Sequence, residues 1–86
     1  MNLNSSFRLE KDSSLLQWYE SELLNKEIPN RIKYLRLSKG ITQKEFYDKT
    51  GIHVARIEQG RNISLRTVIQ ICGYFNITVH EFFRGL

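Results

Sequence analysis

The sequence predicts an all-α domain built from short helices. Three observations predict it. Apolar residues recur three and four apart, and no two-residue alternation lasts beyond four residues. Hydroxyl and acidic residues that cap helices precede each apolar run. One Pro and five Gly in 86 residues leave most of the chain free of breakers. A chain this short forms one domain with a small core.

The elements follow in order. Residues 1–12 have no clean period and read as a flexible N-terminal tail. Asp12-Ser13-Ser14 offers N-caps for an amphipathic helix over 13–28, with Leu15, Leu16, Tyr19 and Leu23 on one face and Trp18 flanking them. Pro29 disfavours helix at Ile28, so a break is expected there. A second helix runs from Pro29 or Asn30 to about Lys39, with Ile28, Ile32 and Leu35 inward and Gly40 as its C-terminal cap. Thr42 with Glu45 three residues on has capping-box spacing and opens a third helix to about Asp48. Thr50 is placed to cap a fourth, over about 51–59, that Gly60 ends. Ser64 caps a fifth, with Leu65, Val68, Ile69, Cys72 and Phe75 inward and Asn76 as its stop. Thr78 caps the last, which turns Val79, Phe82 and Phe83 inward.

Charge is unevenly spread. Residues 1–28 hold three bases and five acids, whereas residues 29–62 hold eight bases and three acids. A basic centre suits a polyanion; a solvated basic surface looks the same in composition. One cysteine makes no internal disulfide, and two histidines with one thiol make no zinc-ligand pattern, so no metal or cofactor is expected. No Ser/His/Asp grouping and no Gly-rich phosphate loop occurs, so no enzyme is expected. No apolar run is long enough for a membrane span, and the N-terminus does not read as a secretory signal, which points to the cytoplasm.

Residues 30–83 hold one ordered pattern. It runs through Arg31-Ile32, Leu35-Arg36, Gly40-Ile41-Thr42-Gln43, Phe46, Ile57-Glu58-Gln59-Gly60, Ser64-Leu65, Val68, Ile71-Cys72, Phe75, Ile77 and Glu81-Phe82-Phe83. The pattern resembles the Cro/XRE-type, lambda-repressor-like helix-turn-helix family. The resemblance implies five short helices over residues 29–86, preceded here by an extra N-terminal helix. It implies a double-stranded DNA partner, a homodimer, and a regulator of transcription, with repression as the expected role. It also implies that Arg36 and Glu58 form an internal structural pair, and that Gln43 contacts phosphate with some reach toward bases.

By that resemblance the fourth helix is the recognition helix. Its exposed candidates are Thr50, Gly51, Ile52, His53 and Arg56, with Val54 and Ile57 in the core. Arg56 suits guanine, and Ile52 suits a thymine methyl. His53 is either a base contact or a surface or capping residue. Thr42 and Lys44 flank Gln43, and Arg61 and Asn62 suit phosphates.

The sequence departs from the family between Gln43 and Glu58, where about one helical turn is missing. Either the helix before the turn is shorter and Thr50 caps the recognition helix, or the turn lies at Thr50-Gly51 and the recognition helix is shorter. The N-terminal helix either folds back on the domain, pairs with a second copy, or takes a protein partner, as in an antitoxin. Phe82-Phe83-Arg84-Gly85-Leu86 is a rival dimer surface.

Overall fold

A computed structural model describes residues 13–61 and 63–86. The tail expected at 1–12, the Asp12 cap and Asn62 lie outside the described residues. All described elements are helical: α1 (Ser13–Glu22), a wide π turn (Leu23–Glu27), α2 (Ile28–Ser38), α3 (Gln43–Thr50), α4 (Val54–Glu58), α5 (Leu65–Phe75) and α6 (Val79–Phe83). Five helices from Ile28 onward form the body, and α1 precedes them.

The break expected at Ile28–Pro29 does not occur. The helical path runs unbroken from Ser13 to Ser38, and Ile28 keeps helical angles (φ −66°, ψ −47°). Proline inside an α-helix has no N–H to donate and its ring strikes the carbonyl four residues back. Here the preceding turn is widened, and the Ile28 N–H donates to the Leu23 carbonyl, five residues back. The wide turn accommodates the ring, and Pro29 sits at the start of α2, where a missing N–H costs least.

The core is made by Ile28 and Ile32 of α2, Phe46 of α3, Val54 and Ile57 of α4, Val68, Ile71, Cys72 and Phe75 of α5, and Phe82 of α6. Phe46 stacks on Phe75 at 5.8 Å and meets the edge of Tyr74 at 5.0 Å. Cys72 is a small core residue whose thiol is pushed up by burial. The inward face of α5 differs from expectation. Leu65 and Ile69 are exposed, and Ile71 is buried instead. Ile71 stands three residues after Val68 and four before Phe75, which completes a tighter stripe than Ile69 does.

Leu15, Leu16 and Tyr19 share a face with Leu23, as their spacing reads, but do not pack on the body. They are exposed, and of that stripe only Leu23 packs on the core. Helix α1 does not fold back; it projects from the body, and the described residues together extend 47 Å along their longest axis. Its base is tied down on two sides. The Tyr19 hydroxyl donates to the Leu86 carbonyl at 3.4 Å. Gly60 (φ +81°) packs on the Asn25 backbone, where an added Cβ would stand 3.2 Å from the Asn25 Cα. Arg31 clamps the far end of the chain, donating to the Phe82 carbonyl at 2.7 Å and the Arg84 carbonyl at 3.0 Å.

The Thr42, Ser64 and Thr78 caps formed as the sequence reads. Thr42 accepts from the Glu45 N–H at 3.0 Å while Glu45 accepts from the Thr42 N–H at 2.8 Å. Thr78 and Glu81 repeat the arrangement at 2.9 and 2.8 Å. Ser64 accepts from the Thr67 N–H, and Asn76 ends α5 in the left-handed region. The hydrogen bonds from the cap N–H groups hold both Glu carboxyls below their ordinary 4.5.

Two expected outcomes follow from this packing. Gly60→Ala suffers both the positive φ and the backbone clash, and is expected to cost about 2 kcal/mol or more in urea unfolding. Gly51→Ala (φ +75°, open space) meets only the first and is expected to cost about 1 kcal/mol. Because the Glu45 and Glu81 pKa values are lowered on folding, their stabilisation is whole above the ordinary value and is lost as pH falls below it. A Glu45→Gln/Glu81→Gln chain is therefore expected to lose less stability than the parent when unfolding midpoints at about pH 6 and about pH 3 are compared.

Candidate nucleic-acid interface

Helices α3 and α4, joined by Gly51-Ile52-His53, occupy the places of the helix-turn-helix. The turn lies after Thr50, not before it. Thr50 is the last residue of α3 and does not cap the recognition helix. Its hydroxyl donates to the Phe46 carbonyl at 2.7 Å and accepts from the Ile52 N–H at 3.0 Å. A Thr at a helix end can bond back to the fourth carbonyl before it, and here that bond wins over capping forward. Gly51 then reverses the chain in the left-handed region, and its N–H donates to the Tyr47 carbonyl. Of the two expected arrangements, the one with the shorter recognition helix is found. Helix α4 has five residues, not the nine expected.

So short a helix does not stand by itself. One buried charge pair holds it. Arg36 of α2 meets Glu58 of α4 side-on: its Nε donates to one carboxylate oxygen at 2.7 Å and its second terminal nitrogen to the other at 3.0 Å. The remaining terminal nitrogen donates to the Ile41 carbonyl at 2.8 Å. Both side chains are 6% exposed. The Glu58 hydrogen bond raises the Arg36 pKa further above its already high ordinary value. Gln43 joins this network, its amide donating to Glu58 at 3.0 Å. The first turn of α3 and the end of α4 are therefore locked through one carboxylate.

The expected site residues fall into three groups. At the start of α3, Thr42, Gln43 and Lys44 are exposed. The Thr42 hydroxyl is used in the cap, and Lys44 pairs with Asp48 at 2.8 Å on the surface. The Gln43 and Lys44 N–H groups have no acceptor within the helix. In the turn, Gly51 and His53 are exposed, while Ile52 is half-buried against the core. His53 precedes α4 without capping it, and its ring lies 4.5 Å from that of Tyr47. On and after α4, Arg56 and Arg61 are exposed. Among the described residues the Arg56 guanidinium has no hydrogen-bond or ion-pair partner, whereas Arg61 donates to Gln59. Thr50 is half-buried and committed to the turn.

Gly51, Ile52, His53 and Arg56 line one open cleft, which Thr67 and Gln70 of α5 complete. Those two polar side chains were not singled out from sequence. Their signal is there: they lie three apart on the flank of α5 beside the buried stripe. Tyr47 was missed as well, and it buttresses His53.

Among the described residues no helix is long and apolar enough to cross a membrane. The helix-turn-helix family matches residues 32–82 of the chain. No curated protein matches, and no solved structure does.

Breaking the buried pair from one side is expected to be costly. Arg36→Met leaves the Glu58 charge buried and should lower stability by about 3–5 kcal/mol in chemical unfolding. The double replacement Arg36→Met/Glu58→Met removes both charges and is expected to recover a good part of that loss.

Proposed function

The chain belongs to the Cro/XRE-type helix-turn-helix family of DNA-binding regulators, and from that premise we propose that it is a sequence-specific transcriptional repressor that binds operator DNA as a homodimer. The cytoplasm is where such a protein meets its operator. The reading involves no catalytic step, metal or cofactor.

One observation carries it. Gln43 and the end of α4 are joined through the buried Glu58 carboxylate, and Arg56 stands beside Gly51 and His53 with its guanidinium unpaired among the described residues. A helix start with unpaired N–H groups suits a phosphate, and an unpaired Arg on the next helix suits the O6 and N7 of guanine. In this reading Thr42, Gln43 and Lys44 set the register on one backbone strand. Arg56 reads bases, with His53 and Ile52 beside it. Arg61, and Asn62 in the sequence after it, add phosphate contacts.

The shortened helix alters how the groove is met. Five residues span roughly 7.5 Å, less than the roughly 12 Å width of the major groove. The turn must therefore approach the bases as closely as α4 does. Gly51, with no side chain, permits that approach, and Thr67 and Gln70 are carried toward the same cleft.

A second reading has one observation in its favour. Helix α1 exposes Leu15 and Trp18, a surface suited to a protein partner. A module of antitoxin type on this fold would use it.

Selection from random duplex DNA with the purified chain tests the first reading. A palindromic motif, bound more weakly as salt rises, is expected; no enriched motif would turn the assignment to a protein partner. On the selected site, Arg56→Ala should cost about 1–3 kcal/mol and relax preference at one base position. Arg61→Ala should weaken all sequences alike and reduce the salt slope by about 1.

A further inference from the structure

The continuous helix from Ser13 to Ser38 has two sides. Ile28, Ile32 and Arg36 are buried on one. The other carries Leu15, Trp18, Glu22, Lys26, Asn30 and Tyr34, spaced three and four apart, with Leu37 three further on. Residues so spaced share one helix face. Its two ends are apolar and open: Leu15 is 64% exposed, Trp18 60%, Tyr34 67% and Leu37 56%.

From the order of these residues we propose that this face pairs with the same face of a second copy, antiparallel and centred on Lys26. The inference rests on the homodimer reading above and names its surface. Reversed about Lys26, the stripe is its own complement. Leu15 comes opposite Leu37 of the second copy, and Trp18 opposite Tyr34. Each apolar end of one helix covers the apolar end of the other.

Charge points the same way. At the centre Lys26 meets Lys26 of the second copy, and each ammonium has Glu22 of the other copy one helical turn away, opposite Asn30, to offset the like charge. Glu22 and Lys26 are four apart on one helix, yet among the described residues neither is in an ion pair. Glu20 and Glu22 are the charged residues of the helix before Lys26, whereas residues 26–38 hold Lys26, Arg31, Lys33 and Arg36 against Glu27. Antiparallel pairing sets acidic half against basic half; parallel pairing sets like against like.

The remaining geometry permits it. Helix α4 packs on α2 from the buried side, with Ile57 and Glu58 turned toward Ile32 and Arg36. The proposed face is the other side of α2, so the α3–α4 surface stays open. Trp and Tyr are the side chains that carry interfaces most often. Among the described residues α1 meets the rest of the chain near its base, beside Gly85 and Leu86, and a helix so short gains further cover this way.

The test uses the full chain. Sedimentation velocity is expected to show a dimer, with its dissociation constant raised at least tenfold by Trp18→Glu and equally by Tyr34→Glu at the other end. Glu22→Lys alone and Lys26→Glu alone should each weaken it, and the double exchange should restore it. Register is read by cross-linking: a Leu15→Cys chain mixed with a Leu37→Cys chain should form a mixed disulfide dimer, while Leu15→Cys alone should not. A monomer at about 100 µM, a dimer indifferent to Trp18→Glu and Tyr34→Glu, or Leu15→Cys cross-linking to itself would each overturn the proposal. Binding of single half-sites, measured on the same variants, separates the two readings. A dimer that binds DNA yet ignores Trp18→Glu and Tyr34→Glu defeats only this surface; half-site binding with no dimer defeats the surface and the homodimer reading but keeps DNA binding; a dimer that binds no DNA defeats only the operator reading.

Discussion

Among the described residues one ion pair is buried, and the placement of α4 depends on it. Arg36 and Glu58 lie 22 residues apart, and their contact joins the first helix of the body to the last turn of the recognition helix. A buried carboxylate with no partner is strongly disfavoured, so only arrangements that bring α4 to α2 are tolerated. The third nitrogen of Arg36 reaches the Ile41 carbonyl and thereby holds the turn between α2 and α3. Gln43 completes the set. A pair of this kind adds little net stability compared with apolar residues of similar volume, but it is selective about geometry. Selectivity is what a five-residue helix needs, because its own hydrogen bonds cannot fix its position.

Two smaller constraints extend that frame to the N-terminal arm. The widened turn before Pro29 keeps α1 in line with α2 instead of releasing it. Gly60, just beyond the recognition helix, presses on the Asn25 backbone of that turn. The arm and the end of the recognition helix thus share a contact with no side chain between them to absorb a displacement.

Much of this was legible in the residues. The Thr42–Glu45 box, the Ser64 and Thr78 caps and the Asn76 stop each depend on one or two neighbouring side chains, and each formed. The Arg36–Glu58 pair was implied by family resemblance and found as a side-on bridge. Where the reading failed, local signals were balanced or long-range. Thr50 has one hydroxyl that can serve the helix before it or the helix after it, and core packing around Phe46 and Ile52 decided for the former. Ile69 and Ile71 are equally apolar, and only the direction of the body chose Ile71. Pro29 ordinarily breaks a helix, and the wide turn that accommodates it has no single-residue signature. The polar flank of α5, Thr67 and Gln70, became part of the candidate interface only when α5 was set beside the turn.

In the proposed function the first turn of α3, the Gly51–His53 turn and Arg56 form one surface that meets DNA. The most direct measurement is an NMR titration of the labelled chain with its selected duplex, following every backbone amide. Shifts are expected at Gln43 and Lys44, at Gly51 through His53, at Arg56, and at Thr67 and Gln70, with α1 unmoved if dimerisation is already complete. Shifts gathered on α1, or on the outer face of α2, with Arg56 and Gly51 unaffected, would contradict it.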